Sequence, residues 1–164
     1  DTVMQAKALV CYFSASGQTA RLAATLAQSL DADIFEIRPA QPYTRQDLNW
    51  NDSSSRSSIE MKDPDARPAL LAPVPDISGY DVVFIGFPIW WYVAPRIIQT
   101  FLESCDLRGK TVVPFATSGG SGMGRTDEVL HACCNAETAW RPGRRFAVQE
   151  KSDVLRAWVN GLNL

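Results

Sequence analysis

Four residues within a short span are equipped for chemistry: Ser14, Ser16, Gly17 and Thr19, in the stretch Phe13-Ser14-Ala15-Ser16-Gly17-Gln18-Thr19. The three hydroxyls can each donate a hydrogen, and the glycine lets the backbone turn left-handed close to a ligand. Before the stretch runs an apolar segment, Ala8 to Phe13; after it Leu22, Ala23, Leu26, Ala27 and Leu30 recur at helical spacing. Strand, loop and helix in that order aim the free N–H groups of the first helical turn, and the positive end of its dipole, at whatever fills the loop. That is the chemistry of a phosphate socket. Taken alone, the loop reads equally well as a strand-to-helix turn with a serine cap.

Three common phosphate loops are excluded by missing parts. A Walker loop needs Lys-Ser or Lys-Thr after its last glycine, and Gly17 is followed by Gln18-Thr19. A dinucleotide fingerprint needs three spaced glycines. A cysteine phosphatase needs an arginine shortly after Cys11, where Ser16 and Gly17 stand. The loop contains no lysine or arginine, which suits a phosphate carried on a larger cofactor whose apolar body supplies affinity.

The elements that must position this loop follow a regular alternation. After the first helix, Ile34 to Ile37 reads as a strand. Residues 41–78 are rich in Pro, Asp, Ser and Arg, with a weak helical pattern around Ser53 to Met61, and read as a polar insertion on the surface of a single domain. Trp50 inside it needs cover; local packing is favoured over a place beside a ligand. Asp81 to Phe87 is a continuous apolar strand, Pro95 opens a helix through Leu102, and Thr111 to Thr117 is the next strand. A helix from Arg125 to Cys134, a weak strand at Glu137 to Trp140, an irregular stretch to Ala147 and a final helix capped by Ser152 complete the chain. This alternation predicts a doubly wound α/β fold with a five-stranded parallel sheet and helices on both faces.

Ligands of such sheets bind at the carboxyl ends of the strands. The phosphate loop follows the first strand. Pro88, Ile89, Trp90, Trp91 and Tyr92 follow the third, and Ser118, Gly119, Gly120, Ser121 and Gly122 follow the fourth. A phosphate socket, an aromatic wall and a glycine-rich amide loop match the phosphate, the tricyclic ring and the polar pyrimidine edge of flavin mononucleotide, FMN. If Trp90 and Trp91 only filled core space, a Trp-Trp-Tyr run in a loop would leave a large apolar patch uncovered.

Composition narrows the alternatives. The net charge is −2 across 164 residues, which argues against nucleic acid or an anionic membrane as main partner, and no apolar run approaches the length of a membrane span. Cys11, Cys105, Cys133 and Cys134 have neither C-x-x-C nor zinc spacing and read as reduced thiols of a cytoplasmic protein. The single histidine, His131, is expected on a solvent-facing helix surface, which leaves a metal site or a catalytic triad poorly supported.

The chain resembles the flavodoxin family, within it the compact members with a Pro-Ile-Trp-Trp loop and a Gly-Gly-Ser-Gly loop. The likeness runs from Lys7 onward and includes Asp47-Leu48-Asn49-Trp50 and Ser57-Ser58-Ile59-Glu60 in the insertion. It implies strand order 2-1-3-4-5 and non-covalent FMN, with Ser14, Ser16, Gly17, Gln18 and Thr19 on the phosphate. By the same resemblance, Pro88, Ile89, Trp90, Trp91 and Tyr92 would line the ring, and Ser118, Gly119, Gly120, Ser121 and Gly122 its pyrimidine side. The family's usual Thr-x-Thr-Gly-x-Thr has serines here, which keep the hydroxyls. A glycine commonly follows the Trp-Trp pair, so Tyr92 should resist any peptide reorientation that needs positive φ. Receiver domains share this fold but need an aspartate where Gly86-Phe87-Pro88 ends the third strand. Two functions are expected candidates: electron transfer through FMN between a reductase and an acceptor protein, or an NAD(P)H-dependent FMN reductase acting on quinones or similar small acceptors.

Overall fold

Strand β1 (Ala8–Tyr12), helix α1 (Gln18–Leu30) and strand β2 (Asp33–Glu36) open the computed structural model, which describes residues 6–118 and 121–164. Helix α2 (Arg56–Lys62) lies in the polar insertion. It is followed by β3 (Val82–Pro88), α3 (Arg96–Ser104), β4 (Thr111–Thr117), α4 (Thr126–His131), β5 (Ala139–Trp140), β6 (Arg144–Phe146) and α5 (Ser152–Asn160). The strands pair in parallel, as the alternation predicts, in the order β2-β1-β3-β4-β5 that the family resemblance implies. The winding reverses between β1 and β3, which opens a crevice at their carboxyl ends.

The apolar strands are buried on both faces because successive side chains point to opposite sides. On one face Leu9, Cys11, Val83 and Ile85 pack with Ile97, Ile98 and Phe101 of α3. On the other, Val10, Phe84 and Phe115 pack with Leu22 and Leu26 of α1 and with Leu155 and Trp158 of α5. Gly86 permits this layering: a Cβ there would lie 2.3 Å from the Phe115 ring.

The last strand departs from the expected single weak strand followed by irregular chain. Thr111 and Val112 pair with Ala139 and Trp140, and Phe115–Thr117 pair with Arg144–Phe146. Val113 and Pro114 therefore stand against Arg141, Pro142 and Gly143, a bulge with one extra residue. Both Pro114 and Pro142 lack the N–H that the ladder needs, so pairing stops there and resumes beyond. Gly143 fits the break because a Cβ would come within 2.6 Å of Asp127 Oδ1, and its N–H donates to Asp127 Oδ2 at 2.9 Å.

Helix α4 stops at His131 rather than Cys134. The amides of Cys133 and Cys134 bond three residues back, to Leu130 and His131 carbonyls, a tightened turn rather than α-helix. His131 is exposed, its ring 4.4 Å from that of Trp140. The cysteines are unbridged. Ser152 is the first residue of α5 rather than its cap. Within the insertion, Ser55 caps α2 by accepting from Ser58 N–H, and Arg96, at the head of α3 and buried, holds the other end. Its guanidinium donates to the carbonyls of Glu60 at 3.3 Å and Met61 at 3.0 Å, the groups a helix terminus leaves unpaired.

Candidate functional site

The phosphate loop sits at the head of α1. Gly17 occupies the cap position with φ +90°, a conformation that disfavours any residue with a Cβ. Its N–H donates to Ser14 Oγ at 3.0 Å, which closes the loop on itself. A Cβ on Gly17 would meet nothing within 4 Å, so the space above the first turn is open. Ser16, Gly17 and Gln18 are exposed to it, and the N–H groups of the first turn have no partners within the helix.

Thr19 is placed differently from its neighbours. It is buried, and its Oγ1 lies 2.8 Å from that of Thr117 at the end of β4. One hydroxyl donates to the other, so one O–H of the pair remains free to donate elsewhere.

The aromatic loop is a tight turn. Trp90 N–H donates to the Val93 carbonyl at 2.9 Å, and Val93 N–H donates back to Trp90 at 3.1 Å. Between them Trp91 has φ +51° and Tyr92 φ +66°, the two left-handed centres of a type I′ turn. Such positions usually hold Gly, Asn or Asp, and each side chain with a Cβ costs about 1–2 kcal/mol there. Tyr92 therefore already stands in the positive-φ region, held there by the Trp90–Val93 hydrogen bonds against the cost expected of a residue with a Cβ. Pro88 ends β3, and Ile89 N–H continues the ladder to the Thr117 carbonyl at 2.9 Å. The Trp90 indole is half-buried, edge-on to Phe13 and Tyr43 with ring centres 5.8 and 5.4 Å away. Trp91 and Tyr92 are exposed, at 45% and 63%.

The third loop is tied to the second. Arg125 N–H donates to the Tyr92 carbonyl at 3.2 Å, and Gly124, at φ +55°, lies so close that a Cβ would be 2.4 Å from that oxygen. Ser118 Oγ donates to the Ser121 carbonyl, and Gly122 is exposed. Gly119 and Gly120 lie outside the described residues. The remaining predicted positions thus line one edge of the sheet, with Thr19 beneath the surface.

Sequence reasoning missed Thr117 and Tyr43. Tyr43 wedges against Phe13 and Trp90 and donates its hydroxyl to Glu60, while the Arg56 guanidinium sits 3.8 Å from its ring centre. Burial, and then the Glu60 hydrogen bond, push its phenol above the ordinary range. A tyrosine in an otherwise polar insertion was the available signal. The favoured reading of Trp50 is corrected as well. The indole is 70% exposed and borders an open cavity of about 700 Å³ shared with Ala15 and Ser16 of the phosphate loop. Polar contacts shape its turn, including Asn51 N–H to Asn49 Oδ1 at 3.1 Å, and leave the ring without local cover.

Comparison with known proteins gives a consistent result. The family model described as Flavodoxin matches residues 7–162. A crystal structure of a protein taken to be a flavoprotein, from Bacteroides eggerthii, is 49% identical, with a TM-score of 0.92 over 98% of this chain and 99% of its own. A second, from Bacteroides uniformis, is 45% identical, with a TM-score of 0.88 over 95% and 99%. A flavoprotein in complex with FMN from Lactobacillus acidophilus shares the fold at 21% identity, TM-score 0.69, covering 85% of this chain and 93% of its own. No curated protein matches the chain.

Proposed function

Because the chain belongs to the flavodoxin family, we propose that it binds FMN without a covalent bond and transfers electrons through it between a reductase and an acceptor protein. The observation that carries this reading is the open space over Gly17, at the head of a long helix and on the same sheet edge as an exposed aromatic turn. Bound flavin supplies reversible one- and two-electron chemistry. The chain supplies binding and orientation. Ser14, Ser16, Gly17 and Gln18 surround the phosphate with hydroxyls and amides, and Thr19 reaches it from below through the hydrogen left over by its pairing with Thr117. Trp90, braced by Phe13 and Tyr43, and the rings of Trp91 and Tyr92 form the wall for the tricyclic ring. Pro88 and Ile89 set the base of that wall. Ser118, Ser121 and Gly122, with Gly119 and Gly120, meet the pyrimidine edge.

The exposure of Trp91 and Tyr92 favours a second reading, in which a nicotinamide or a flat quinone stacks at the same turn and the protein is an NAD(P)H-dependent FMN reductase. A net charge of only −2 supports it too, since dedicated carriers steer basic partners with a stronger acidic field. Mixing the FMN-loaded protein anaerobically with NADH or NADPH separates the two. A carrier stays yellow until a reductase is added, whereas a reductase bleaches at once.

A further inference from the structure

We propose that Arg45, in the polar insertion, is the cation for the cofactor phosphate that the loop Ser14–Thr19 itself lacks. The proposal rests on the FMN reading above and adds a residue that the loop motif does not contain. A phosphate monoester carries about −1.5 to −2 charges near neutral pH, and a helix N-terminus offers the equivalent of roughly +0.5. Hydroxyls and amides solvate the remainder without neutralising it.

Arg45 borders the cavity that Ala15 and Ser16 of the loop also border, with Tyr43, Gln46, Leu48, Asn49 and Trp50 as its other walls. Its backbone is fixed on both sides. Thr44 N–H donates to Asp47 Oδ2 at 2.9 Å and Asp47 N–H returns to Thr44 Oγ1 at 3.1 Å, a reciprocal box that encloses Arg45. The box is anchored to α2 by Ser57 N–H on the Asp47 carbonyl at 3.0 Å. On the other side Tyr43 packs against Phe13, the residue that leads into the loop, with ring centres 5.7 Å apart.

The charge of Arg45 is also uncommitted. Among the described residues the ion pairs take Arg38, Arg56, Arg67, Arg108, Arg125 and Arg156, and Arg45 is in none of them. Arg38 borders a neighbouring cavity with Ser14 and Ala15, but Glu36 holds it at 2.9 Å. The nearest carboxylates in sequence have partners: Asp47 accepts from Thr44, and Asp52 accepts from Gln46 and Ser54.

The test is titration of the apoprotein with FMN and with riboflavin, for the parent, Arg45→Gln and Arg45→Lys. Arg45→Gln should weaken FMN about tenfold or more while riboflavin, which has no phosphate, changes by less than about twofold. Arg45→Lys should recover part of the FMN affinity, and added salt should weaken FMN binding to the parent more than to Arg45→Gln. A parent that binds FMN while Arg45→Gln binds it equally well overturns this assignment alone, as does an equal loss for both ligands. A parent that binds neither flavin overturns the cofactor reading and this one with it.

Discussion

The Thr19 hydroxyl lies 2.8 Å from the Thr117 hydroxyl, so the first turn of α1 and the end of β4 share one buried hydrogen bond. Thr19→Val leaves the Thr117 hydroxyl without its partner and should cost about 1–3 kcal/mol of stability. Thr19→Val with Thr117→Val removes both polar groups at constant shape and should be less destabilising than the sum of the single changes. Urea unfolding of the four apoproteins measures the coupling. Additive losses would show that the two hydroxyls act independently.

The Trp91–Tyr92 turn holds two L-residues with positive φ. Tyr92→Gly should relieve about 1 kcal/mol of that strain and raise the stability of the apoprotein. The same change removes an aromatic ring from the proposed flavin wall, so FMN affinity should fall while stability rises. Thermal unfolding and flavin titration on one sample read the two effects. A drop in stability would mean that the Tyr92 side chain supports the fold rather than the ligand.

Alkaline pH should weaken the fold through its thiols. Burial pushes Cys105 up to about 12 and, with help from Cys133 and Glu103, Cys134 up to about 11, against an ordinary 9.0. Each thiol holds its proton more tightly when folded. Its contribution is therefore complete below about pH 9 and is lost as pH rises through the folded values. The urea midpoint should decline between about pH 9 and 11, and Cys105→Ala should flatten part of that decline relative to its own value near neutrality. A parent midpoint unchanged over this range would contradict the burial of these groups.

The sheet was legible because fully buried strands write themselves as unbroken apolar runs: Val82 to Phe87 and Val112 to Ala116 need no context to be read. The places of the three loops were legible for a related reason, since each directly follows such a run at the end of β1, β3 or β4. What stayed hidden depends on distance along the chain. Thr19 meets Thr117 across 98 positions, and Tyr43 meets Trp90 in another loop; neither contact has a local signature. The broken last strand was obscured by its own cause, because Pro142 and Gly143 read as irregular chain although pairing resumes at Arg144. Trp50 misled in the opposite direction: a lone tryptophan implies cover, and the fold leaves it facing the cavity beside Ser16.

The central claim is that the loops after β1, β3 and β4 together form an FMN site, and flavin titration of the apoprotein tests it most directly. FMN added to the protein should lose its fluorescence with saturable, one-to-one stoichiometry, because the proposed site sets the ring against tryptophan and tyrosine. Riboflavin should bind more weakly by at least about tenfold, because only FMN presents a phosphate to the Ser14–Thr19 loop. FMN fluorescence unchanged at saturating protein, or equal affinity for FMN and riboflavin, would contradict the account.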